Sequence, residues 1–142
     1  MKKKALIWAS IASVLMVTFS STQSSARGRK HYRLAQGTWG GTHVTVTVGE
    51  SSATIEFDCA HGQIDGPLVT DRRGRFDLKG TYSPEHGGPV RNNEQSVGQP
   101  VRYTGWTDGK KMTLTVTLSG QKETFGAFNL TRGVEGRIFK CR

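Results

Sequence analysis

Strict alternation of apolar and polar residues, interrupted by short turn-rich stretches, dominates the chain beyond its first thirty residues. Val44, Val46 and Val48 alternate with His43, Thr45 and Thr47, and Ile55, Phe57 and Cys59 alternate with Thr54, Glu56 and Asp58. Gly49-Glu50-Ser51-Ser52 between them reads as a hairpin turn. Further strands are expected around Ile64 to Val69, Arg75 to Tyr82, Val101 to Trp106, Met112 to Leu118, Thr124 to Thr131 and Arg137 to Cys141. Asp108-Gly109 and Ser119-Gly120 mark two more hairpins, and no helical period of useful length competes. The pattern predicts an all-β, single-domain antiparallel meander of about eight strands, closed or nearly closed into a barrel, since closure removes unpaired edges. Met112, Leu114, Val116 and Leu118 would face inward with Val101, Tyr103, Phe76, Leu78 and Tyr82, leaving Thr113, Thr115 and Thr117 outside. Phe57, Phe125 and Phe128 would help to fill the lumen, which in so small a barrel holds side chains or one small ligand.

The first residues carry a different signal. Lys2, Lys3 and Lys4 precede an apolar run from Ala5 to Phe19 and a small polar stretch ending Ser24-Ser25-Ala26, the pattern of a secretory signal peptide cut after Ala26. The run is about 15 residues, shorter than the roughly 20 of a membrane span, so no stable insertion is expected once it is removed. The expected organisation is residues 1–26 as signal, 27–36 as a basic flexible tail and 37–142 as the barrel, exported to the periplasm or medium as a monomer. Of the formal charge of +9, three units belong to the leader, and nine minus three leaves +6 on the mature chain.

Cys59 and Cys141 are the two cysteines, and both would reach an oxidising compartment, where thiols pair. A mutual disulfide is the first reading of FDCAHG; a nucleophilic Cys59 assisted by His61 would leave Cys141 without a partner.

The hairpin at Glu50-Ser51 sets a register in which Val46 faces Ile55 and His43 faces Asp58, a cross-strand pair able to orient an imidazole. Following the meander up and down collects His43, Asp58, His61, Glu85, His86 and Arg91 at one end, together with both cysteines. The long loop from Ser83 to Gln99, containing EHGGPVRNN, belongs to that end, and loops of this length are often functional. His43, His61 and His86 with a carboxylate would suit zinc or copper, although no compact HxH or HxxxH pair is present. Arg132 shares a face with Phe128 and Leu130 by parity and would point inward at the opposite end.

GTWGGTH, EFDCAHG, GRFDLKGTY, EHGGPVR, MTLTVTL and the closing RIFKC resemble a family of small secreted bacterial all-β domains of unknown function, over roughly Gly37 to Cys141. The resemblance implies a stand-alone exported domain and brings no activity or cofactor with it. Gly37-Thr38-Trp39 is also similar to the G-x-W that opens the first strand of calycins, the lipocalin and avidin type of barrel. That likeness implies structural roles for Gly37 and Trp39 and a basic residue packed on the tryptophan. Lys140 or Arg142 would supply it, with Arg132 falling at the other end.

No P-loop, dinucleotide-binding glycine turn or GxSxG elbow occurs, and an exported basic chain is not expected to meet nucleic acid. Three readings stay open. One is a noncatalytic binding module for a small molecule, glycan or envelope protein. Another is a metal-binding protein or metal-dependent enzyme using the histidine cluster. The third is an envelope inhibitor acting through the loop 83–99.

Overall fold

A computed structural model describes residues 28, 30–85, 98–120, 123–139 and 141. The strands, in chain order, are β1 (Tyr32–Arg33), β2 (Gly37–Gly41), β3 (Val44–Val48), β4 (Ala53–Phe57) and β5 (Ala60–Ile64). They continue with β6 (Val69–Thr70), β7 (Arg75–Pro84), β8 (Gln99–Thr107), β9 (Lys111–Leu118) and β10 (Thr124–Arg132). Eight of them close an antiparallel barrel in the order β10-β2-β3-β4-β5-β7-β8-β9, while β1 and β6 form a separate two-stranded ribbon. Among the described residues no helix is long and apolar enough to cross a membrane.

The alternation places the core as expected. Val44, Val46 and Val48 meet Phe57, Ile55 and Ala53 across the β3–β4 hairpin in the register read from the sequence. Trp39, Tyr103, Met112, Leu114 and Leu130 are fully enclosed and fill the lumen, so this barrel is a packed core through most of its height. Leu78, Tyr82 and Leu118, expected inside, are only partly buried against it. Two glycines make room for Tyr103, whose hydroxyl donates to the Thr81 carbonyl at 2.6 Å. A Cβ on Gly62 would lie 2.0 Å from the Tyr103 hydroxyl, and one on Gly80 would lie 2.7 Å from its ring.

Eight strands close the barrel, but their membership differs from the expected set. Among the described residues Arg137 to Cys141 forms no strand; Gly37–Gly41 takes the place expected for it. The expected strand from Ile64 to Val69 divides, because Asp58 and Cys59 form a two-residue turn and Phe57 pairs with Ala60, starting β5 early. Val69 then belongs to the external ribbon, where it pairs with Arg33. The tail expected to be free over 27–36 is therefore partly pinned: Tyr32 pairs with Thr70, and the Leu34 amide donates to the Leu68 carbonyl at 2.8 Å.

The chain after β10 runs back as a strap over the outer face of β2. The Gly133 amide bonds the Thr38 carbonyl at 2.8 Å, the Arg137 amide bonds the Gly41 carbonyl at 2.9 Å, and Arg137 forms a parallel bridge with Thr42. Gly40 lets the strap lie this close, since a Cβ there would be 2.3 Å from the Val134 carbonyl oxygen. The strap ends at the disulfide between Cys59 and Cys141, whose Cα atoms are 5.3 Å apart. The pairing read from the cysteine count is thus the one found.

Because β2 is a separate strand antiparallel to β3, Trp39 runs in the opposite direction from the one expected. Arg132 consequently lies directly across from Trp39, rather than at the other end, and donates to the Gln36 carbonyl at 3.4 Å. Lys140 and Arg142, proposed for that position, lie outside the described residues.

Candidate functional site

One barrel end collects the β2–β3 and β4–β5 turns, the end of β7 and the start of β10. His43 occupies the second position of the two-residue Thr42-His43 turn with φ of 69°, a left-handed conformation uncommon outside glycine, asparagine, aspartate and histidine. From there its Nδ1 lies 2.5 Å from Asp58 Oδ2. Asp58 Oδ1 accepts the Phe139 amide at 2.9 Å, so one carboxylate holds both the imidazole and the strap. The Phe139 ring packs on His43 with centroids 5.3 Å apart.

That amide, and secondarily His43, hold the Asp58 carboxyl below its usual range against the opposing cost of partial burial. A depressed carboxylate contributes stability that is fully present above its unfolded pKa and is lost as pH falls through the folded one. The melting-temperature gap between the wild type and Asp58→Ala should therefore be constant above about pH 5 and should close on acidification below about pH 4. A gap that persists unchanged into strong acid would show that the carboxylate charge is not what holds the strap.

His61 makes a second pair of the same kind, with Nδ1 2.8 Å from Glu85 Oε1, and the Glu85 amide bonds the Cys59 carbonyl at 2.8 Å. The four residues His43, Asp58, His61 and Glu85 thus share the end expected for them, as two carboxylate–imidazole pairs. His86 and Arg91 lie outside the described residues. Among the described residues no three His, Cys, Asp or Glu side chains are placed to share a metal ion, and no hydroxyl is bonded to either imidazole. Cys59 is in the disulfide, so it is not a nucleophile in this state.

Beside these pairs the barrel opens. β10 is nine residues long and β2 only five, so β10 pairs with β2 at Leu130, Thr131 and Arg132 alone while pairing with β9 along most of its length. Among the described residues β10 pairs with no strand on this side from Thr124 to Asn129, and beside the gap lies a pocket of about 210 Å³ lined by His43, Phe57, Asp58, Cys59, Tyr82, Val116, Phe125 and Phe128.

Three local features shape it. The β9–β10 register shifts between Thr124 and Gly126, leaving Phe125 as the extra residue of a bulge, a device that re-aims a side chain. The Phe125 ring stacks on Tyr82 with centroids 4.9 Å apart and planes within 9°. Gly126 leaves space for the neighbouring ring, since a Cβ there would lie 2.7 Å from Phe128. Phe57 packs between Phe128 and Tyr82 at 5.4 and 5.5 Å, completing an aromatic wall, and burial pushes the Tyr82 hydroxyl pKa up.

From the sequence, Phe125 and Phe128 are both expected to fill the lumen. Phe125 is instead 47% exposed at the opening, and Phe139 nearby is 54% exposed. The available signal is the pair of phenylalanines at 125 and 128, whose separation breaks the period of two and marks the bulge. Compared with protein-family models, curated proteins and solved structures, the chain matches none of them, so its site is read from this geometry alone.

Proposed function

We propose that this protein is an exported, noncatalytic binding module that takes one small apolar group in the open mouth of its barrel. The observation that carries this reading is the aromatic pocket of about 210 Å³ with Phe125 exposed at its edge. Size decides the class of ligand: a dry cavity of roughly 150 Å³ already accepts benzene, whereas drug-sized ligands need roughly 300 Å³ or more. The mouth therefore suits a single ring or a short branched alkyl group. Asp58 fixes the polar contact: its bond to Nδ1 sets the ring's orientation, and in the neutral imidazole the proton then sits on Nδ1, which leaves Nε2 as an acceptor. A ring carrying a hydroxyl donor matches that acceptor.

Export rests on the leader-like residues 1–26, which lie outside the described residues, and on a disulfide suited to an oxidising compartment. The calycin-like part of the reading is supported by an eight-stranded closed barrel whose first barrel strand carries Trp39.

Titration with p-cresol and with toluene, followed by calorimetry, tests the proposal. Both should bind, p-cresol about tenfold tighter through its hydroxyl, and His43→Phe should remove that difference. Phe125→Ala, at an exposed position, should weaken both without lowering the melting temperature. Binding unaffected by Phe125→Ala would place the ligand elsewhere and overturn the assignment.

A further inference from the structure

The gap that opens the mouth also leaves a strand edge without a partner among the described residues. In a strand, the N–H and C=O of one residue point to one side and those of the next residue to the other. The Arg132 amide bonds the Lys110 carbonyl, on the β9 side. Alternation then turns Thr131, Asn129 and Ala127 toward β2, and Asn129 is indeed so oriented, its carbonyl oxygen lying 2.2 Å from where a Gly41 Cβ would be. β2 ends its pairing at Leu130–Gly41. Ala127 thus presents its backbone donor and acceptor to the opening, and the bulge leaves Phe125 without a pairing residue on β9 as well. The strap does not close this edge among the described residues: it runs over the other face of β2, against Gly40 and Thr45.

An unpaired edge is a template for a further strand, and proteins that recognise extended peptides use it with side-chain pockets for specificity. Here the edge and the pocket are continuous, since Phe125 and Phe128 belong to β10 and line the mouth. We propose that the segment Thr124–Asn129 of β10 is a strand-addition site for an extended peptide segment of a partner protein, which places one aromatic or large aliphatic side chain in the mouth. The pocket volume fits one such side chain, the exposed ring of Phe125 lines it, and the exposed ring of Phe139 packs on His43, another of its lining residues. Main-chain hydrogen bonds to Ala127 supply affinity that does not depend on sequence; the pocket supplies the choice of side chain. This inference rests on the mouth being the binding site, and deepens that reading by naming its ligand as a peptide.

The test uses acetyl-Thr-Val-Phe-Val-Thr-amide, two copies of it N-methylated at alternate sets of residues, a copy with alanine for phenylalanine, and p-cresol as the free ring. Strand addition predicts that the peptide binds more tightly than p-cresol. One N-methylated set should weaken it about tenfold while the other set does little, because only one edge of the peptide faces β10. The alanine copy should bind at least as weakly as the impaired set. Ala127→Pro removes the donor that faces the opening, a substitution tolerated at a strand edge, and should reduce peptide binding while leaving p-cresol binding unchanged. If p-cresol binds and the peptide binds no better, or if both N-methylated sets bind like the parent, strand addition is overturned and the mouth reading stands. If neither p-cresol nor the peptide binds, both fall.

Discussion

Replacing Trp39 by alanine is expected to lower stability by about 3–5 kcal/mol, the usual cost of emptying a large aromatic site in a core that cannot collapse around it. Trp39 is completely buried, lies between Val46 on β3 and Arg132 on β10, and sits at the short seam that closes the barrel. A loss of that size is a large share of the roughly 5–15 kcal/mol that holds a domain of this kind together. The same residue carries an internal contrast. Its indole Nε1 is buried without a hydrogen-bond partner among the described residues, a state that costs about 1–3 kcal/mol. Trp39→Phe removes that cost while giving up only part of the volume, so it should be far milder than Trp39→Ala in urea unfolding. Equal losses for the two would mean that the indole N–H is satisfied in solution, by water or a ligand.

Replacing both cysteines by serine should cost about 2–4 kcal/mol and lower the melting temperature by about 10 °C or more, with the chain-entropy model giving about 4.5 kcal/mol as an upper figure. The cross-link spans 82 residues and fastens the strap to the β4–β5 turn beside the mouth. Among the described residues the remaining fastenings are the amides of Gly133, Arg137 and Phe139, and the His43 amide donating to the Arg137 carbonyl at 2.9 Å. Amide exchange should accordingly rise first in Arg137 and Phe139, while the β7, β8 and β9 amides keep their protection. Loss of protection throughout the barrel would show instead that the strap is part of the cooperative core. Mouth binding should survive weakly, since Cys59 lines the pocket but contributes none of its rings.

Much of the fold is legible in the sequence because its determinants are local. A period of two survives wherever one face of a strand is buried, which is why alternation alone points Met112, Leu114 and Val116 inward, where they are found. Hairpin register follows from turn length, so the residue count across Gly49 to Ser52 is enough to set Val46 opposite Ile55 and hence His43 beside Asp58. Gly37–Gly41 is harder to read. Three glycines in five residues carry little apolar pattern, and the reason for Gly40 is a strap that arrives from the other end of the chain. Arg137 to Cys141 has the alternation of a strand, yet among the described residues its pairing is limited to one isolated parallel bridge, Arg137 to Thr42 at the end of β2.

Local pattern along the chain is enough to dictate an antiparallel barrel of eight strands, the pairing of Cys59 with Cys141, and the end of the barrel at which His43, Asp58, His61 and Glu85 meet. Where the barrel opens follows instead from its closure in three dimensions. That depends on the mismatch in length between β10 and β2, strands far apart in the chain that become neighbours only when the sheet closes. Periodicity reports which face of a strand is buried; it does not report which strand lies alongside or how far their pairing extends. The aromatic mouth, the aim of Phe125 and the free edge at Ala127 all arise from that closure.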